Sequence, residues 1–330
     1  MFDLAIVGAG PIGIESAILA KRAGLRYVVL EQGAIVNAIY HYPTYMTFFT
    51  TSDRLEVGGH PLVTATEKPT RKEALEYYRK VVHNEALNVR TFTEVTGMEQ
   101  GPKGFSLETR DEHGGNGRVE ARLVALATGY FDNPKMLGIP GEDLPNVSHY
   151  YTEAHPFYGR NVTIVGAGSS AADTALDLYR GGARVTIVHR GDDFRHSLKY
   201  WVRPDLVNRV KEGSITAHFN TEVSEITSSE VVAQKQGEQL RIPTDHTFAL
   251  TGYYASPKLL TRLGVEVDPE TQAAKLDPDT FESNVPGLYL IGSAGFGTRT
   301  SDVFIENGLV HAAKAVGHMV ERLAPDSVPA

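Results

Sequence analysis

Two runs of glycine in this chain have the spacing that lets backbone amides hold a phosphate. Gly8, Gly10 and Gly13 form a G-x-G-x-x-G run, and Gly166, Gly168 and Ala171 repeat it with alanine in third place. In such a run the first glycine permits a tight turn and the second lets the backbone approach a pyrophosphate. The third lets the following helix pack closely on its strand. The helix behind the run offers unpaired N–H groups and a positive dipole end. Eighteen positions after Gly13 stands Glu31, where a carboxylate accepts ribose hydroxyls. The second copy ends instead in His189-Arg190, with Arg195 five residues on. An acid there would repel a 2′-phosphate, whereas arginines pair with it. One acidic and one basic ending predict two different nucleotides: FAD at the first turn and NADPH at the second. Pro11, Ile12, Gln32 and Val95 are assigned with the first site, Ser169 and Ser170 with the second.

The elements that must position these residues follow from periodicity. Leu4-Ala5-Ile6-Val7 is a short apolar run that predicts a buried parallel strand, and Ile12, Ile14, Ala17, Ile18 and Lys21 continue at helical spacing. Gly24 stands where a C-cap belongs, and Tyr27–Leu30 forms the next strand, ending at Glu31. The second copy has the same order: Asn161–Val165 as strand, a helix through Ala172, Ala175, Leu176 and Leu178, then the strand Arg184–Val188. Between the copies, Thr70 with Glu73 has capping-box spacing before a helix. Asn88–Arg90 with Thr93–Thr96 predicts a short strand, Phe105–Thr109 alternates as a half-buried one, and His113–Gly117 is a hairpin turn. The following strand leads into Ala127-Thr128-Gly129. Tyr40–Phe49 is rich in rings and interrupted by Pro43, so it is expected as a loop or short extended segment whose rings cover a sheet edge or line a flavin ring or a nearby acceptor pocket. Thr247–Gly252 is expected as a strand returning to the first domain, and Gly287–Ser293 as a buried strand ending at Gly292. Thr300–Gly308 begins a last helix through Ala312, Ala315 and Met319, and its start, aimed at a flavin ring, would stabilise negative charge there. Glu306 and His311 on that helix are the candidate acid–base residues.

Composition narrows the chemistry. The chain has 330 residues, room for two domains, with 42% hydrophobic and 22% charged residues, as in an ordinary globular protein. Its net charge of −8 includes no basic block, which argues against a nucleic-acid or anionic-membrane partner. No apolar run reaches membrane-span length, and the first strand begins near Asp3 with no room for a signal peptide before it, so a cytoplasmic location is expected. There is no cysteine. That removes disulfides, zinc–thiolate sites, iron–sulfur clusters and catalytic thiols together, and no metal is expected.

The order of Gly8–Gly13, Ala127-Thr128-Gly129, Gly166–Ala171 with His189-Arg190, and Gly292 resembles the low-molecular-weight thioredoxin reductase-like flavoproteins. Met46–Thr51, Lys68–Arg71, Ala127–Pro134 and Phe304–His311 are similar, more narrowly, to the bacillithiol disulfide reductase (YpdA-like) family. The resemblance implies an α/β fold of two Rossmann-like dinucleotide-binding domains, the NADPH domain inserted into the FAD domain. It places FAD on residues 1–130 and 246–330 and NADPH on 131–245, with hinges near 130–135 and 243–247. It implies a homodimer that passes hydride from NADPH to FAD and on to a small disulfide. By the same resemblance Thr128 and Gly129 line the domain crossing, Gly292 and Ser293 meet the ribityl–phosphate side, and Ile305 and Glu306 approach the isoalloxazine. The chain departs from the pattern in three places. It lacks the C-x-x-C pair of thioredoxin reductases, has Ile12 where the bacillithiol enzymes usually carry a cysteine, and has Ser293 in place of the commoner aspartate. A mixed disulfide with an enzyme thiol is therefore impossible. The open alternatives are a ferredoxin or flavodoxin–NADP⁺ reductase of the same fold, a quinone reductase with Tyr40–Phe49 as acceptor pocket, and a redox-sensing binding module.

Overall fold

The computed structural model describes residues 1–196 and 198–324. They fall into two compact units. One comprises residues 1–40, 47–133 and Tyr253 onward, the other 41–46 and 134–252.

The first unit opens with β1 (Phe2–Val7), α1 (Pro11–Arg22), β2 (Tyr27–Leu30), α2 (Asn37–Tyr40) and α3 (Arg71–Asn84). Strands β3 (Val89–Arg90), β4 (Thr93–Gly101), β5 (Gly104–Asp111) and β6 (Asn116–Leu126) follow. Leu4, Ala5 and Ile6 are fully buried because their parallel strand is covered on both faces. The capping box forms as spaced: Glu73 N–H donates to Thr70 Oγ1 (3.2 Å) and Thr70 N–H to Glu73 Oε2 (2.8 Å). The stretch from 88 to 96 is two strands, not one, because Phe92 takes a left-handed backbone (φ 51°) between β3 and β4. The hairpin from β5 to β6 is closed by Asp111, whose Oδ1 accepts the N–H groups of His113 and Gly115 (2.9 and 2.8 Å).

The second unit contains β7 (Val147–Ser148), β8 (Asn161–Val165), α4 (Ser169–Arg180), β9 (Arg184–Val188), α5 (Arg203–Lys211) and β10 (Thr216–His218). Then come β11 (Thr221–Ile226), β12 (Glu230–Lys235), β13 (Glu238–Pro243) and β14 (His246–Ala249). Its main sheet is parallel in the order β10-β9-β8-β14-β7, and β11-β12-β13 is a separate antiparallel sheet. Val165 and Val188 of the parallel sheet share a core with Val223, Ile226, Val231 and Ile242 of the small one. The chain completes the first unit with α6 (Lys258–Arg262), β15 (Leu288–Leu290) and α7 (Ile305–Leu323).

The first sheet runs β3-β2-β1-β6-β5-β4. β6 serves two partners on one side: its first half pairs antiparallel with β5, its last three residues parallel with β15. One expectation is corrected here. The strand from residue 246 does not return to the first unit, because Thr247 and Phe248 pair with Thr163 and Ile164 of β8, and the chain leaves the second unit after Gly252. The ring-rich stretch is also divided. His41–Met46 belongs to the second unit, where Thr44 N–H donates to Thr152 O (2.8 Å), while Phe48 is buried in the first. Among the described residues no helix is long and apolar enough to cross a membrane.

Glu85, the C-cap of α3, ties three elements of the first unit together. Its carboxylate accepts from His60 Nε2 (2.8 Å), Lys21 Nζ (3.2 Å) and Arg22 Nη2 (3.0 Å). The bond from His60, with those from Lys21 and Arg22, outweighs burial and brings its pKa from 4.5 to about 2. A depressed carboxylate contributes stability above its unfolded pKa and loses it as pH falls through the folded one. Glu85→Gln is expected to lower the melting temperature at pH 7 by about 2–4 °C, roughly 1 kcal/mol. The gap to wild type should hold at pH 5 and close between about pH 4.5 and 2. A gap undiminished at pH 2.5 in a thermal melt would contradict this.

Candidate functional site

In the first unit the carboxyl ends of β2, β1, β6 and β15 lie side by side, with Leu30, Val7, Leu126 and Leu290 in register. Within two residues of those ends stand Glu31, Gly8, Thr128 and Gly292. Because β1 leads to β2 on one side and pairs with β6 on the other, a crevice opens at this end of the sheet. Gly8 has φ +105°, and a Cβ on it would lie 2.5 Å from the Ala127 carbonyl oxygen. A Cβ on Gly13 would lie 1.9 Å from the Gly8 oxygen. Those two glycines are structural necessities. At Gly10 a Cβ would meet nothing within 4 Å, so the space above the turn is open. Gly10 caps α1 with no side-chain bond, and Pro11 has no N–H, which leaves the amides of Ile12 and Gly13 at the head of the helix.

Glu31 is 6% exposed; Oε2 accepts Ala9 N–H (2.7 Å) and Oε1 accepts Gly33 N–H (2.9 Å). Burial outweighs these two bonds and raises its pKa, with Asp132 adding to the rise. Each oxygen keeps a lone pair for a hydroxyl. Gln32 beside it donates from Nε2 to Asp132 Oδ2 (2.7 Å). Val95 lies on β4 packed against the sheet core, while Thr128 is exposed and Gly129 borders open space.

Ile12 occupies a seam between three elements. A Cβ on Gly292 would come within 3.2 Å of Ile12 Cγ1, and one on Gly308 within 2.7 Å of Ile12 Cδ1. The isoleucine thus fills the notch that two glycines leave where α1 meets the end of β15 and the first turn of α7. Ser293 is half-exposed just beyond it, and Ile305 is the first residue of α7. The two acid–base candidates differ sharply. Glu306 is half-exposed in the first turn of α7 and has no ion-pair partner among the described residues. His311 is 9% exposed and stacked on Phe281 (ring centroids 3.9 Å apart, 20°) and Phe296 (5.8 Å, 21°). Burial pushes its pKa down against a hydrogen bond to the Gly292 backbone, and its Nδ1 has no partner.

The second unit repeats the design. Gly166 has φ +133°, and a Cβ there would lie 2.4 Å from the Leu250 carbonyl oxygen, while a Cβ on Gly168 would meet nothing within 4 Å. Gly168 caps α4 without a side-chain bond, Ala171 is buried, and Ser169 and Ser170 form the open first turn. The loop after β9 folds back over this turn, with Arg195 N–H donating to Ala167 O (3.2 Å). Burial, and then the charges of Arg195 and Arg190, push the His189 pKa down, with Asp192 opposing them. Both arginines are exposed, and neither has an ion-pair partner among the described residues.

The sequence did not point to Asp132 beside Gln32, or to Lys135, Thr251 and Gly252 at the end of β14. They meet through hydrogen bonds between segments distant in sequence, Gln32 with Asp132 and Lys135 with Gly252, and leave no local spacing signal. A cavity of about 430 Å³ lined by Met1, Phe2, Leu25, Arg26, Tyr27 and Asn88 lies at the opposite, amino-terminal end of β1 and β2, away from the glycine turn.

With this geometry in place, the comparisons with known proteins are specific. A family model described as pyridine nucleotide-disulphide oxidoreductase matches residues 5–292. Bacilliredoxin reductase Bdr of Bacillus subtilis (strain 168) is 38% identical over 97% of this chain and 96% of that protein. The solved structure of bacillithiol disulfide reductase Bdr (YpdA) from Bacillus cereus superposes with a TM-score of 0.95 at 37% identity, covering 97% of this chain and 99% of that one. Thioredoxin reductase of T. acidophilum, at 22% identity and a TM-score of 0.76 over 97% of this chain and 98% of its own, shares the fold. The chain belongs to the pyridine nucleotide-disulphide oxidoreductases and, within them, to the Bdr family. It is a flavin-dependent oxidoreductase of thioredoxin reductase-like fold, with FAD and a nicotinamide dinucleotide as its cofactors.

The Ile12 seam is testable by a mutant cycle. Gly308→Ala is expected to destabilise the protein by about 1–3 kcal/mol through overpacking. Adding Ile12→Val removes the Cδ1 that the new methyl meets and should recover more than half of that loss. Strictly additive losses in a denaturant titration would show that the two side chains do not share this notch.

Proposed function

We propose that this member of the family is an NADPH-dependent reductase of a low-molecular-weight disulfide, bacillithiol disulfide, and that it works without a protein thiol. The observation that carries the acceptor is the match to Bdr along nearly the whole of both chains. In this reading the first unit binds FAD and the second binds NADPH. The turns fit those groups: each leaves open space above its second glycine and uncapped amides behind it, one beside a buried carboxylate and the other beside two unpaired arginines.

Gly8, Gly10 and Gly13, with the amides of Ile12 and Gly13, hold the FAD pyrophosphate, and Glu31 accepts the adenosine ribose hydroxyls. Pro11 starts α1 without competing for the phosphate, and Gln32 and Val95 border the adenosine side. Thr128, Gly129, Gly292 and Ser293 meet the ribityl–phosphate side, and Ile305 starts the helix that faces the ring. Gly166, Gly168, Ser169, Ser170 and Ala171 hold the NADPH pyrophosphate turn. Arg190 and Arg195, with His189 beside them, take the 2′-phosphate. Bound FAD supplies an acceptor for the NADPH hydride and a donor of that electron pair to the disulfide. The overall balance is one NADPH, one proton and one disulfide giving NADP⁺ and two thiols. Of the two acid–base candidates Glu306 is the accessible one, because His311 is enclosed by two rings. The assembly proposed is a homodimer, testable by sedimentation equilibrium.

The deciding experiment is anaerobic: NADPH-reduced enzyme is mixed rapidly with bacillithiol disulfide or with oxidised flavodoxin while the flavin absorbance is followed. Rapid reoxidation by the disulfide alone is expected. Reoxidation by flavodoxin alone would replace this reading with the ferredoxin/flavodoxin–NADP⁺ reductase alternative. The nucleotide assignment has its own check. Gly10→Ala is expected to fold normally but purify with less than about a tenth of the wild-type flavin, and Gly168→Ala to keep its flavin and lose NADPH affinity at least tenfold.

A further inference from the structure

Lys135 lies outside both glycine motifs, yet the second unit holds it at the rim of its phosphate turn. Its N–H donates to Gly252 O (2.9 Å), and its own carbonyl accepts from the Thr251 hydroxyl. Its stem runs along Gly252, where a Cβ would sit 4.0 Å from Lys135 Cδ. Those residues continue directly from Leu250, whose N–H donates to Val165 O (2.9 Å) and whose carbonyl covers Gly166. Lys135 is thus anchored just past the carboxyl end of β14, on one shoulder of the turn, and Arg195 is anchored to Ala167 on the other. The crevice between β8 and β14 is the switch point of the parallel sheet, where an open α/β sheet binds its ligand.

Positive charge predominates at this rim. Burial, and then the charges of Arg195 and Arg190, hold the Lys135 ammonium below its ordinary pKa. Among the described residues no carboxylate pairs with Lys135, Arg190 or Arg195; Asp193 on the same loop is taken by Arg203 at 2.6 Å. Asp192 on the same loop partly offsets the arginines at His189. Three neighbouring cations that are not paired with a carboxylate still repel one another, and a polyanion between them relieves that repulsion. The arginines sit after β9, toward the 2′-phosphate. The lysine sits after β14, across the turn from them.

We infer that Lys135 is a dinucleotide-binding residue of the second unit, its ammonium taking the pyrophosphate from the side opposite the α4 N-terminus while Arg190 and Arg195 take the 2′-phosphate. This deepens the reading of the second unit as the NADPH-binding one and rests on it.

The test is equilibrium binding to the oxidised, flavin-loaded enzyme by isothermal titration calorimetry. Three probes are used: NADP⁺, which carries both phosphate groups; NAD⁺, which carries only the pyrophosphate; and 2′-AMP, which carries only the 2′-phosphate. Lys135→Met is expected to weaken NADP⁺ and NAD⁺ by the same factor, about tenfold, and to leave 2′-AMP unchanged. Lys135→Arg should keep both dinucleotides within about threefold of wild type. Arg190→Met should weaken NADP⁺ and 2′-AMP and spare NAD⁺. Wild-type affinity of Lys135→Met for all three probes would overturn the inference. So would loss of 2′-AMP with NAD⁺ spared, which would make Lys135 a third 2′-phosphate ligand. If the wild-type enzyme binds neither dinucleotide, the reading of the second unit fails and takes this inference with it.

Discussion

Both units depend on a backbone oxygen lying where a side chain would otherwise be. The Ala127 carbonyl closes over Gly8, the Gly8 carbonyl over Gly13, and the Leu250 carbonyl over Gly166. Each contact brings a strand end, a turn and a helix start closer than any Cβ permits. The neighbouring strand ends are fixed by the same closeness, since β6 must lie against β1, and β14 against β8, for those carbonyls to arrive. The open sides of Gly10 and Gly168 are the complement of this packing. The same turn is tight toward the protein and empty toward the ligand.

Given two turns of one design, charge distinguishes them. At the first, Glu31 is buried and held by two amides, with lone pairs left to accept from hydroxyls. At the second, the corresponding strand leads to exposed arginines, and the loop carrying Arg195 is tied back onto Ala167. The proposed division of the two nucleotides rests on this contrast.

The chain contains no cysteine, so its own side chains supply no thiol chemistry. Ile12 is not a vacancy where a thiol might have been, because its branches are packed against Gly292 and Gly308 and join α1 to α7. No residue of this chain can form a thiol or a mixed disulfide. The enclosed His311 and the half-exposed Glu306 likewise divide by packing, although they stand five residues apart on one helix.

The sequence by itself determined the two strand–turn–helix units, the capping box at Thr70 and Glu73, the opposite endings at Glu31 and Arg190, and the exclusion of thiol chemistry. All of these are short-range: periodicity, glycine spacing and residue type act within about thirty positions. Tertiary structure decided what depends on pairing between distant segments. The strand at 246–249 belongs to the second sheet because β8 offers it a parallel partner, a choice its own apolar residues do not encode. Phe92 splits a strand through one left-handed residue, and the ring-rich segment is shared between the units. Ile12 finds its glycines, and Lys135 its arginines, only after strands far apart in the chain have paired. Local spacing carries no record of such meetings, because the free energy that fixes them comes from the packed sheet as a whole.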